Sequence, residues 1–149
     1  MNEEKPAKFK VSCLECGATN LFPESALGKT VRCGRCTSGL PAPGAVLEPT
    51  PRQIAVLVRE ASLPLLVDFY SHTCMPCRMM EPVVANLARR RRGDLMVVKV
   101  NTDENRELAA SFRIQAVPTF MVFRKGYEVG RTQGAMAETD FSLWVASKA

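Results

Sequence analysis

Six cysteines fall into three Cys-x-x-Cys pairs, and the pairs sit in two different surroundings. Cys74-Met75-Pro76-Cys77 follows the apolar run Leu65-Leu66-Val67-Asp68-Phe69-Tyr70 and opens an amphipathic stretch. A pair at a strand-to-helix junction suits thiol–disulfide exchange, because the thiolate is the nucleophile and a helix N-terminus stabilises negative charge. Cys74, just ahead of the helix and beside Pro76, is the expected attacking thiol. Cys77, one turn further on and more sheltered, is the expected resolving thiol, so the two would form a redox-active disulfide. A packed or metal-binding pair is the alternative for the same two residues.

The other pairs, Cys13-Leu14-Glu15-Cys16 and Cys33-Gly34-Arg35-Cys36, are separated by sixteen residues. That spacing reads as a four-thiolate zinc site. The expected cofactor is one structural Zn2+, held tetrahedrally by Cys13, Cys16, Cys33 and Cys36. Iron also accepts four thiolates, and two ordinary disulfides are the remaining alternative, disfavoured where thiols are kept reduced. Gly17 and Gly34 sit where backbone amides can turn toward sulfur.

The elements that must position these groups can be read from apolar spacing. Residues 52–61 predict a helix with Pro51 at its start, and residues 65–70 a strand buried on both faces. From Pro76, the positions Met80, Val83, Val84, Leu87 and Ala88 recur at helical spacing, with Pro82 expected to kink the helix. Leu95 to Val100 predicts a second buried strand, and Glu104 to Phe112 a short helix. Thr119–Phe123 and Glu128–Thr132 predict a hairpin around Lys125-Gly126, and residues 138–147 a closing helix. The fold class is therefore α/β, a central mixed sheet flanked by helices on both faces. Residues 11–40 offer too little apolar surface to fold without a staple such as a metal. With Pro41-Ala42-Pro43-Gly44 as a break, the expected domains are 1–43, a tail plus small zinc-binding unit and linker, and 44–149, the α/β unit.

Composition narrows the partners. The chain has 149 residues, 46% hydrophobic and 23% charged, a balance that supports a real core. It contains no apolar run long enough to span a bilayer, and its first residues lack the apolar core of a secretory signal. The expectation is a cytoplasmic protein with no membrane partner. The net charge is +5 and the pI near 9.0. Much of that charge is Arg89-Arg90-Arg91-Arg92 at a predicted helix end, where cations are favoured by the macrodipole. No aromatic residues interleave with the arginines, so nucleic acid is not an expected partner.

Over residues 48–147 the chain resembles the thioredoxin family. The resemblance rests on Val67-Asp68-Phe69-Tyr70, Cys74-Met75-Pro76-Cys77-Arg78, Lys99-Val100-Asn101-Thr102-Asp103, Ile114-Gln115-Ala116-Val117-Pro118-Thr119, Gly126 and Gly134. Joined to the N-terminal four-cysteine pattern, and including the closing Phe141-Ser142-Leu143-Trp144, it is similar to the zinc-containing, thioredoxin-2-type bacterial members. The resemblance implies a thioredoxin fold and a monomeric protein-disulfide reductase. It makes Asp68 the proton-transfer partner of Cys77, paired with Lys99, and makes the peptide before Pro118 cis. Thr73, Met75, Pro76 and Val117 would border the substrate groove. The implied partners are protein disulfides and an NADPH-dependent thioredoxin reductase or similar donor, since the chain has no nucleotide-binding glycine motif of its own.

Two departures set the open questions. Thr73 and Met75 stand where the usual motif reads Trp-Cys-Gly-Pro-Cys, and residues around the sulfurs tune the potential. A zinc-dependent adaptor, or a disulfide oxidant or isomerase, are the rival readings. His72, the single histidine, either adds positive charge near Cys74 or is an exposed loop residue.

Overall fold

The computed structural model describes residues 8–12, 16–23, 31–37, 39–40, 46–61 and 63–149. Two small antiparallel ladders come first. Strand β1 (Lys8–Ser12) pairs with β2 (Thr19–Pro23), and β3 (Val31–Arg32) with β4 (Gly39–Leu40). Cys16 lies in the connection of the first ladder, and Cys33 and Cys36 in that of the second. Cys13 lies outside the described residues. None of these strands was legible from apolar alternation, because ladders this short offer hardly a period to read.

The remainder alternates as β5 (Val46–Leu47), α1 (Pro51–Glu60), β6 (Leu65–Tyr70), α2 (Met75–Arg90), β7 (Met96–Asn101) and α3 (Arg106–Ser111). A hairpin of β8 (Thr119–Arg124) and β9 (Tyr127–Gln133), then α4 (Glu138–Lys148), completes it. The five strands form one sheet in the order β5-β7-β6-β8-β9. β5 and β6 run parallel to β7, while β8 is antiparallel to β6 and β9 to β8. This is the mixed sheet that the strand–helix alternation predicts. The hairpin turns through Lys125 (φ 51°) and Gly126 (φ 86°), the two left-handed positions a type I′ turn requires.

Side-chain alternation along the strands divides the core. Leu65, Val67 and Phe69 of β6 join Val98 and Val100 of β7 under Ile54 and Leu57 of α1, with Phe112 packed beside them. Leu66, Val97, Phe120 and Val122 meet Met80, Val84 and Leu87 of α2 and Phe141 and Val145 of α4. All six residues of β6 are buried, as its apolar run predicts for a strand with neighbours on both edges. Cys33 belongs to the α1 layer, and Cys16, Ala18, Val31 and Cys36 pack against it. The cysteine-bearing turns therefore join one face of the sheet, while α2, which carries Cys77, covers the other.

Local chemistry accounts for the helix ends. Thr50 caps α1 in a reciprocal box: its hydroxyl accepts the Gln53 N–H at 3.3 Å, and Gln53 Oε1 accepts the Thr50 N–H at 2.9 Å. α2 is unbroken through Pro82, which has no N–H to offer the turn before it. α3 is shorter than its apolar spacing suggests, because residues 102–104 form a turn. Within that turn Asn101 Oδ1 accepts the Asp103 N–H at 2.9 Å.

Candidate functional site

The dithiol sits where β6 hands the chain to α2. Cys74 is the residue capping α2, and its sulfur accepts the Cys77 N–H at 3.2 Å. Cys74 and Cys77 are disulfide-bonded, with Cα atoms 5.2 Å apart. Their exposure differs: Cys74 is half-buried and Cys77 is 4% exposed. An amide aimed at the outer sulfur and a helix start behind it both stabilise a thiolate there. The inner sulfur is shielded from an incoming molecule.

Loops on either side hold this junction. The buried Ser71 hydroxyl donates to Asp103 Oδ2 at 2.7 Å, tying the β6–α2 loop to the β7–α3 loop. Thr73 Oγ1 lies 3.1 Å from Ser71 Oγ, and Arg78 Nη2 donates to the His72 carbonyl at 3.0 Å. Opposite the disulfide, the Val117 carbonyl oxygen lies 3.5 Å from Cys74 Sγ. The Val117–Pro118 peptide is cis, as the resemblance implies. Pro118 is buried and its carbonyl accepts the Gly134 N–H at 2.9 Å, which gives that late glycine, at φ 88°, a structural task. Thr73, Met75 and Pro76 border the outer sulfur, with Met75 and Pro76 exposed and Val117 half-buried. Met75 and Met79, each 62% exposed, stand one helical turn apart on α2.

Asp68 lies in the middle of β6 and is 2% exposed. Burial pushes its carboxyl up to about 7; Lys99 opposes that rise and Glu81 adds to it. Lys99 is its direct neighbour in register on β7. The ammonium acts on Asp68 as the expected pairing implies, but its close contacts are with other groups. Lys99 Nζ lies 3.9 Å from Glu81 Oε1 and 4.3 Å from the centroid of the Tyr70 ring. Asp68 Oδ1 has no hydrogen-bond partner among the described residues. Tyr70 in turn donates to Glu48 Oε1 at 3.2 Å, and burial pushes its hydroxyl up to about 12.

Three of the four expected zinc ligands meet. The sulfurs of Cys16, Cys33 and Cys36 lie within 4.8 Å of one another. The Cys16–Cys33 sulfur separation is 3.8 Å, and sulfurs at tetrahedral zinc, bound at about 2.3 Å, lie about 3.8 Å apart. Cys33 Sγ receives the Arg35 N–H at 3.4 Å and Asn20 Nδ2 at 3.3 Å, while Asn20 Oδ1 accepts the Gly34 N–H at 2.9 Å. Amide hydrogen bonds from Cys36 and Arg35, then the Asn20 side chain, hold the Cys33 thiol down at about 6. The three described cysteines thus fit a soft, thiolate-binding cation, and Asn20 orients one of them.

Asn20, Ser71, Asp103 and Glu81 escaped the sequence reading. The first three are short polar residues, one in β2 and two in loops, whose partners lie far away in sequence. Glu81 is one turn beyond Cys77 on the same helix face, a spacing that could have flagged it.

A dithiol at a helix start, facing a cis-proline segment across the end of a mixed sheet, defines a thiol–disulfide exchange protein. The thioredoxin family model matches residues 45–147, and the chain belongs to that family. Thioredoxin C-3 of Corynebacterium nephridii is 30% identical over 135 residues, covering 91% of this chain and 92% of the relative. Thioredoxin 1 of a Nostoc species is 44% identical over 85 residues, 57% of this chain and 79% of its own. Among solved structures, a mutant thioredoxin from Halobacterium salinarum superposes with a TM-score of 0.63 at 30% identity, covering 71% of this chain and 92% of that one. Thiol–disulfide oxidoreduction is the general reaction that this membership assigns, and Cys74–Cys77 is the pair that fits it. No helix among the described residues is long and apolar enough to cross a membrane.

Proposed function

We propose that the chain is a protein-disulfide reductase acting through Cys74 and Cys77, with zinc held by Cys13, Cys16, Cys33 and Cys36 in the small N-terminal unit. The observation that carries the reading is the unequal pair at the start of α2. Cys74 is reachable and receives an amide, whereas Cys77 is sealed. In the reduced protein the Cys74 thiolate attacks a substrate disulfide, forming a mixed disulfide and expelling one substrate thiolate. Asp68 takes the Cys77 proton, and the Cys77 thiolate attacks Cys74 Sγ. The second substrate thiol leaves, and two electrons have passed from the Cys74–Cys77 dithiol to the substrate. Thr73, Met75, Pro76 and Val117 border the substrate, Pro118 shapes the groove and Lys99 biases Asp68.

An NADPH-dependent thioredoxin reductase or a similar donor restores the dithiol in the cytoplasm, and the protein works as a monomer. The unit boundary lies near residue 43. The short Cys16–Cys33 sulfur separation and the amides on Cys33 support a metal site. Zinc there, when bound, supplies a structural or redox-responsive crosslink and no chemistry at the dithiol.

Insulin-disulfide reduction with dithiothreitol as donor tests the reading. Cys74→Ser is expected to abolish it, and Cys77→Ser to accumulate a mixed disulfide visible by mass spectrometry. Full activity in Cys74→Ser would overturn the assignment.

A further inference from the structure

The Lys99 ammonium has a second carboxylate beside it, other than the acid it neighbours in register. Asp68 and Lys99 are register partners on adjacent strands, and both lie on the sheet face that α2 covers. Opposite charges on neighbouring strands attract one another, yet Lys99 Nζ also lies 3.9 Å from Glu81 Oε1 and 4.3 Å from the centre of the Tyr70 ring. Glu81 and Lys99 line one wall of a cleft of about 240 Å³ with Val46, Val84 and Ala85. Asp68 stays inside with Oδ1 unpartnered among the described residues. Glu81 itself is largely exposed and occupies the turn of α2 directly after Cys77.

We propose that Glu81 is a positioning residue for the proton transfer: its carboxylate draws the Lys99 ammonium toward α2 and so weakens the pull of Lys99 on the buried Asp68. The inference rests on the reading of Asp68 as acceptor of the Cys77 proton. A carboxylate paired with an ammonium is a weak base, whereas one buried and unpaired has its basicity raised. The charged and titratable groups around Asp68 are few. β7 offers Lys99, α2 offers Glu81, and β6 offers Tyr70. β8 places Phe120 opposite Asp68, and α4 places Phe141 and Val145 on that face. Removing the Glu81 charge deletes a repulsion and frees Lys99 to approach, so both effects drive Asp68 the same way.

The test follows the Asp68 carboxyl by 13C NMR across pH in full-length oxidised protein, which reports its protonation without any turnover. Glu81→Gln is expected to lower the Asp68 midpoint by about one pH unit, the scale on which a neighbouring charge moves a carboxylate. Glu81→Asp should restore part of that shift. In a Lys99→Gln background the effect of Glu81→Gln should shrink, because the partner it restrains is gone. An unmoved midpoint in Glu81→Gln overturns the proposal, and so does an equal shift with and without Lys99. The pH profile of mixed-disulfide resolution separates the underlying reading. A midpoint that moves while that profile stays fixed supports the Glu81 restraint and refutes the role of Asp68 as acceptor.

Discussion

Asp68 concentrates the tension between stability and chemistry in one side chain. Its carboxyl is raised to about 7 in the folded protein, by burial first, against an ordinary value of 3.8. The folded state therefore holds a proton that the unfolded chain has already released. The stabilisation is fully present below about pH 4 and is lost as pH rises to about 7, at roughly 1.4 kcal/mol for each pH unit separating the two values. Asp68→Asn is thus expected to stabilise the protein by a few kcal/mol at pH 8 and to change little at pH 4. Urea melts at the two pH values check this, and a variant equally affected at both would contradict the assigned cause. The identity of Asp68 as the odd polar residue in β6 was plain in the sequence. Its full surroundings were not. Lys99 is the residue that the family resemblance places beside it, but the ammonium also stands 3.9 Å from Glu81 Oε1. That contact depends on how α2 is rotated against the sheet, which no local pattern encodes.

At the scale of elements, chemistry-bearing segments were easier to read than short supports. The apolar run of β6 and the helical spacing through Leu87 are strong signals because each commits a whole face to the core. β5, two residues long on the sheet edge, has no such pattern, and the Thr50–Gln53 box starts α1 one residue ahead of Pro51. Thr50→Ala should cost about 1 kcal/mol, measured as a lower denaturation midpoint with an unchanged slope. The arginine run resolves structurally as well. Arg90 Nη2 donates to Ser142 Oγ at 2.7 Å and Arg91 Nη2 to the Ala149 carbonyl at 3.0 Å, so two of the four arginines fasten α2 to α4. The small ladders β1–β4 depend on their turns. With zinc bound as proposed, its removal by a chelator should raise amide exchange in β1–β4 sharply, while β6 and β7 keep their protection. Uniform loss of protection across the chain would show instead that the cysteine cluster holds the whole fold.

For the molecule as a whole, the arrangement separates two kinds of sulfur chemistry. Cys33 and its neighbours join the α1 layer, whereas the dithiol opens the helix on the opposite face of the sheet. A metal that prefers thiolates and a disulfide that must cycle can thus share one chain. The reductase account then stands on the energetics of Cys74 and Cys77 in their altered motif, with Thr73 and Met75 beside them. The direct measurement is the reduction potential of that couple in metal-loaded protein, equilibrated against glutathione and dithiothreitol buffers. The account predicts a value near the thioredoxin level of about −270 mV, low enough to drive electrons into protein disulfides. A value roughly 100 mV more oxidising would contradict it, since about 30 mV is already a tenfold change in equilibrium, and would make the protein an oxidant or isomerase.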